Sequence, residues 1–220
     1  MSKFVFDKSN CFCISLLSQI ERWSKMEQRF ATIGIEVSKI PASVGGTSDI
    51  VDYFDNRLNN GQIGCSQSHV KVWHHILTNK LPYAFILEDD ACFVKDWRNK
   101  LDKFFKDIND TEWDLILLNA SEPCYPLDEW KLCKEQFLTG GYIISLKGVK
   151  EILKMFSGRY CSSDWMTSRI QLHNHSYSYF PWLIIQEGKE TTIGSNIVAD
   201  HEKVLHCLNS INYSIDNYTI

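Results

Sequence analysis

Tyr83-Ala84-Phe85-Ile86-Leu87, followed at once by Glu88-Asp89-Asp90, is the stretch that decides the architecture. The apolar run reads as a buried strand of a central sheet. Three carboxylates at the carboxyl end of such a strand lie where open α/β sheets bind their ligands. Ionised acids crowded together repel one another unless a cation joins them. An all-oxygen cluster favours Mg²⁺ or Mn²⁺, and these ions in turn hold phosphates. Strand side chains alternate, so Glu88 and Asp90 are expected to point one way and Asp89 the other. The segment then reads as an acid-x-acid clamp for a metal-bound diphosphate. A solvated acidic turn after a strand is the plainer reading of the same residues.

Upstream, residues 11–17 read as a first strand and residues 20–33 as a helix, with Trp23, Met26, Phe30 and Ile33 on its buried stripe and Gly34 closing it. A second strand over 36–40 stops at Pro41, and this β-α-β opening favours a parallel sheet. The polar stretch from Gly45 to Gly64 reads as loop with one weak helical piece at 50–58. A helix over 66–79 follows, with Ser66 as its N-cap. Downstream, Asp96 is expected to cap an amphipathic helix reaching Ile108, and 113–118 is another buried strand. Residues 121–135 contain Pro123 and Pro126 and no clear period, so they read as a mobile excursion. A strand at 142–145, helices at 147–156 and 164–172, a strand region at 177–186 broken by Pro181, and a short helix near His201 complete the order. It implies a single α/β domain over residues 1–220, with helices covering a mainly parallel sheet.

A chain of 220 residues is long enough for a proper core, and 44% hydrophobic with 23% charged residues are ordinary globular values. The net charge of −4 argues against a broad nucleic-acid surface. No apolar run approaches the ~20 residues of a membrane span. Asp7 and Lys8 interrupt the apolar start too early for a secretory signal. A cytoplasmic protein is expected, with contact at the periphery of a membrane left open. The eight cysteines include one C-x-C, Cys11-Phe12-Cys13, and no matching second pair. They read as reduced, mostly buried thiols rather than a zinc site or a disulfide framework.

The run Gly61-Gln62-Ile63-Gly64-Cys65-Ser66-Gln67-Ser68-His69, then Trp73, then Ile86-Leu87-Glu88-Asp89-Asp90 resembles glycosyltransferase family 25. That family includes lipooligosaccharide and procollagen galactosyltransferases. Ile14-Ser15-Leu16, Glu21-Arg22, Ala42-Ser43-Val44-Gly45, Gly140-Gly141-Tyr142 and Ser163-Asp164 are similar to further family elements in the right order, as are Pro181, Gln186 and Ser195-x-Ile197. The resemblance runs from about Cys11 to Ile197. It implies a GT-A-like fold, a UDP-sugar donor (mostly UDP-galactose), Mn²⁺ or Mg²⁺, inversion at the sugar carbon, and a glycan or glycoprotein acceptor. Val44 stands where the family has an Asp before its glycine, and Ser163 replaces the valine of its Val-Asp pair. UDP-glucose is therefore the second choice of donor.

On this reading Asp90 contacts the metal, Glu88 supports the metal or the ribose, and Asp89 orients the donor sugar. The metal offsets charge on the departing UDP. Inversion needs a separate base, and Asp164 fits; the competing reading makes it the N-cap of the helix that follows. Arg22 is either a pyrophosphate contact or a solvated helix-face cation. Ile14 and Leu16 flank the uracil or are simply buried strand. His69 is a structural histidine or a substrate contact, whereas Trp73 and Cys65 read as core. His201 is a candidate extra metal ligand, and Ser195 a candidate seat for donor phosphate. A nucleotidyltransferase is the rival enzyme class, and the lack of a glycine-rich phosphate loop near the start of the sequence counts against it. A glycan-binding protein without turnover is the rival that the intact acids oppose.

Overall fold

Cys11–Ser15 carries no charge, buries all its residues and forms β1, next to the edge of a seven-stranded sheet. The structure is a computed structural model that describes residues 3–188, 193 and 197–220. Helix α1 (Ile20–Ile33) follows and ends as expected, with Gly34 at φ +68° and its N–H bonded to Phe30 O. Met26 and Phe30 are its buried stripe, with Trp23 and Ile33 packed partly against the core. Edge strand β2 (Ser38–Pro41) pairs parallel with β1. Pro41 sits at its last position, where a missing N–H is tolerated.

The weak helix expected at 50–58 does not form; Phe54 instead makes an isolated bridge with Tyr160. Helix α2 (Asn60–Asn79) begins well before the expected start. Asn59 is the cap: its side chain accepts from Gln62 N–H while the Gln62 side chain accepts from Asn59 N–H. Ser66 is therefore not an N-cap. It lies buried inside α2, where its Oγ accepts from Ser163 N–H at 3.0 Å. Trp73 is fully buried in the same helix. Truncating such a side chain costs ~3–5 kcal/mol, so it is a main anchor of α2 on the sheet.

Strand β3 (Tyr83–Glu88) carries the acids into β4 (Ala91–Phe93). The helix expected from Trp97 to Ile108 splits into α3 (Trp97–Asp102) and α4 (Phe104–Asp107), and Asp96 makes no side-chain cap. After β5 (Leu115–Leu117), the stretch expected to be mobile contains β6 (Trp130–Leu132). Trp130 is buried there, its indole N–H donating to Lys100 O at 3.0 Å. Then come β7 (Gly141–Ser145), α5 (Leu146–Met155), α6 (Ser163–Ile170), β8 (Ser176–Tyr179), β9 (Ile184–Gln186) and α7 (Ile197–Ser210).

The sheet order is β2-β1-β3-β7-β5-β8-β6. The two outer parallel pairings of β1 and the β5–β8 pairing set one common direction, which only β7 and β6 oppose. The expected mainly parallel α/β sheet is thus met, with reversal at β7 as the feature that shapes the site. A small second sheet pairs β4 with β9 and sets Gln186 opposite Ala91. Among the described residues no helix is long and apolar enough to cross a membrane.

Candidate active site

Three chain segments meet at one edge of the sheet. Ile14 and Glu88 are register partners at the carboxyl ends of β1 and β3. Because β7 runs backwards, its start lies at the same edge, with Gly141 opposite Leu87. Gly140 O accepts from Glu88 N–H at 3.1 Å, and Thr139 Oγ1 donates to Glu88 Oε1 at 2.8 Å. A cavity of about 310 Å³ opens here, within the range of small-molecule sites. Ile14, Ser15 and Leu16 form one wall, Arg22 of α1 and residues 42–45 flank it, and Asn60, Gly61, Gly64 and Cys65 of α2 close the other side. Glu88, Asp89, Asp90 and Gln186 line it as well.

The expected alternation of the acids fails for a local reason. The strand stops at Glu88, and Asp89 and Asp90 make the turn into β4, so all three carboxylates line one cavity. Arg22 Nη2 is 2.6 Å from Asp89 Oδ1 and 3.3 Å from Asp90 Oδ2, so it is no solvated helix-face cation. Gln186 Nε2 lies 3.4 Å from both Glu88 Oε2 and Asp90 Oδ1. Burial, reinforced by the neighbouring Glu88 charge and opposed by Arg22, pushes the Asp90 carboxyl up to about 7. Burial also raises Asp89, against the pull of Arg22 and a hydrogen bond with Ser15. For Glu88 burial acts upward too, yet His69, the Thr139 hydrogen bond and the Arg22 charge together outweigh it and the net shift is down. Three carboxylates against one guanidinium leave negative charge uncompensated. This oxygen-only donor set fits a hard divalent cation, which Glu88 and Asp90 would hold.

The other expected residues lie at varying distance from that centre. Asp164 does not line the cavity and is not the N-cap of α6, which is Ser162. It sits in the first turn, its Oδ1 accepting from Trp165 N–H at 2.7 Å. Its neighbour Ser163 reaches the acids through Thr139, at 3.1 Å between the hydroxyl oxygens. His201 is on α7, packed against the backbone of Gly188 rather than lining the cavity. Ser195 lies outside the described residues. Cys65, His69 and Glu88 place ligand atoms within 4.8 Å of one another, but burial pushes the Cys65 thiol well above its ordinary value, which keeps it a neutral, poor ligand.

A family model described as "Glycosyltransferase family 25 (LPS biosynthesis protein)" matches residues 8–130. The chain belongs to glycosyltransferase family 25. It is 30% identical to a Drosophila melanogaster glycosyltransferase 25 family member, over 69% of this chain and 28% of that protein. It is 26% identical to Xenopus laevis procollagen galactosyltransferase 1-A over the same shares. A mouse protein named inactive glycosyltransferase 25 family member 3 is 26% identical over 70% of this chain and 30% of its own length. The chain thus spans under a third of the length of these relatives.

Three features of this family 25 site were not assigned a role from sequence. Thr139 and Gln186 reach the acids only through the reversed β7 and the β4–β9 pairing, which no local pattern announces. The third is the glycine wall. A Cβ on Gly64 would lie 2.6 Å from Ser43 O and 2.8 Å from Gly45 N. A Cβ on Gly45 would lie 1.6 Å from Asn60 O. Backbone therefore packs on backbone where residues 42–45 cross the start of α2. Gly-to-Ala inside a helix ordinarily stabilises by ~1 kcal/mol. Overpacking against backbone costs ~1–3 kcal/mol, so Gly64→Ala is expected to lower stability. A raised melting temperature would show that this contact yields easily.

Proposed function

We propose that this family 25 chain is a metal-dependent, inverting hexosyltransferase that moves galactose from UDP-galactose to a hydroxyl of a glycan or glycoprotein, forming a β-linkage. The observation that carries it is the convergence of Glu88, Asp89 and Asp90 on one cavity beside an apolar β1 wall. Ile14 and Leu16 suit the face of a uracil, and Arg22 suits a phosphate once the acids have another counter-ion. A divalent cation supplies Lewis-acid stabilisation of the leaving diphosphate. Glu88 and Asp90 hold that charge in place, Asp89 orients the donor, and Asp164 takes the acceptor proton on the face opposite the UDP. Mn²⁺ is the first choice of ion and Mg²⁺ the second. Eight cysteines in no disulfide, four of them buried, favour a reducing compartment such as the cytoplasm.

The name of the mouse relative makes a protein without turnover the reading to test against, and the intact acids favour turnover. The purified protein with Mn²⁺ is expected to hydrolyse UDP-galactose slowly and to transfer galactose when offered an acceptor. EDTA should stop both. NMR of the product identifies the sugar and, from the anomeric coupling, the linkage. Glucose transfer would overturn the donor, an α-linkage the inverting mechanism, and full activity in a demonstrated metal-free preparation the clamp itself.

A further inference from the structure

The buried groups behind Glu88 have hydrogen-bond directions that follow one from another. Trp73 Nε1 can only donate, and it donates to the Tyr142 hydroxyl at 3.0 Å. The Tyr142 proton then goes to His69 Nδ1, 2.9 Å away. With Nδ1 as the acceptor, the ring N–H lies on Nε2, facing Glu88 Oε1 at 3.2 Å. All three rings are fully buried, so each must find its partners within the protein. A second file reaches the same oxygen. Thr139 Oγ1 donates to Glu88 Oε1 at 2.8 Å and so accepts from Ser163 Oγ at 3.1 Å. Oε1 takes two donors, whereas Oε2 faces Gln186 Nε2, which also lies 3.4 Å from Asp90 Oδ1.

We propose that His69 is a positioning residue, locked as its Nε2–H tautomer by Tyr142 and Trp73, which together with Thr139 fixes Glu88 so that only Oε2 is offered to a divalent cation. The inference rests on the metal clamp proposed above. It gives the helix residues His69 and Trp73, one turn apart, a shared task. It also gives Ser163 a task as the far end of the second file. The Cys65–His69–Glu88 cluster is then no metal site, because the nitrogen lone pair a metal needs there is protonated.

Long-range ¹H–¹⁵N NMR of histidine-labelled protein should report the Nε2–H tautomer for His69, with and without Mg²⁺. Mn²⁺ affinity, read by electron paramagnetic resonance, should weaken ~10–100-fold in His69→Ala, the usual cost of losing an outer-shell partner. His69→Gln, whose amide N–H can reach the same oxygen, should recover most of that loss, which a merely space-filling role would not predict. Should His69→Ala fail to fold, Thr139→Val removes the other donor to the same oxygen and should weaken Mn²⁺ by about tenfold. An Nδ1–H tautomer in the wild-type protein, or unchanged Mn²⁺ affinity in folded variants, would overturn the proposal. If the wild-type protein binds no Mn²⁺, the clamp fails by itself, and the tautomer still decides whether His69 is locked.

Discussion

Asp90→Asn is expected to cut sugar transfer by ~10²-fold or more and, at the same time, to make the metal-free protein more stable at pH 8. The first half follows if Asp90 contacts the ion. The second follows from its burial beside Glu88, which holds the folded-state carboxyl at about 7. An acid whose folded pKa is raised favours folding least when ionised. The penalty is absent below the ordinary carboxylate range and grows as pH climbs from there through about 7. Removing the charge is worth ~4 kcal/mol at most on this shift, which already includes the opposing pull of Arg22. Thermal unfolding without metal should show the gain at pH 8 and none at pH 4. Saturating Mn²⁺ should narrow the gap, because only the wild-type protein is stabilised by the ion. A lower melting temperature for the variant at pH 8 would mean that Arg22 already neutralises Asp90 fully.

Asp164→Asn is the second large effect, an expected ~10²-fold loss in kcat with Mn²⁺ affinity little changed. The side chain stands apart from the acids that would hold the ion, yet its neighbour Ser163 is tied to them through Thr139. Its structural work is small. An acid in the first turn of a helix contributes about 0.3–1 kcal/mol, and an Asn oxygen can still accept from Trp165 N–H. Single-turnover rates and a Mn²⁺ titration on the same preparation separate the roles. Normal turnover per folded molecule would reduce Asp164 to a helix-end acid.

Much of this arrangement is legible in the chain itself. Strand β3 and its acids stand out because an apolar run ends abruptly in charge, and α1 because its stripe and Gly34 agree on one helix. What escaped reading depends on distant partners. The first turns of α2 look like loop because Gly61 and Gly64 lower helix propensity, and only distant backbone explains the glycines: residues 43–45 crowd Gly64, and Ile193 crowds Gly61. Strand β6 is three residues long and gains its identity from β8. The common facing of Asp89 with its neighbours turns on where β3 stops, a boundary that period-two reasoning cannot place. Thr139 enters the site only because β7 is reversed.

Arg22 spans Asp89 and Asp90 and is the one cationic side chain among the described residues that line the cavity. It can neutralise those carboxylates or grip a diphosphate, but not do both in full. A diphosphate arriving first meets a guanidinium already engaged and three acids that repel it. A cation arriving first must break two ion pairs before it gains its own. With both bound, the acids have the cation as a counter-ion and Arg22 is released toward the diphosphate. Donor and ion are therefore expected to show positive heterotropic coupling, each tightening the other by the same factor, with Arg22→Gln weakening that coupling more than it weakens the binding of the ion alone.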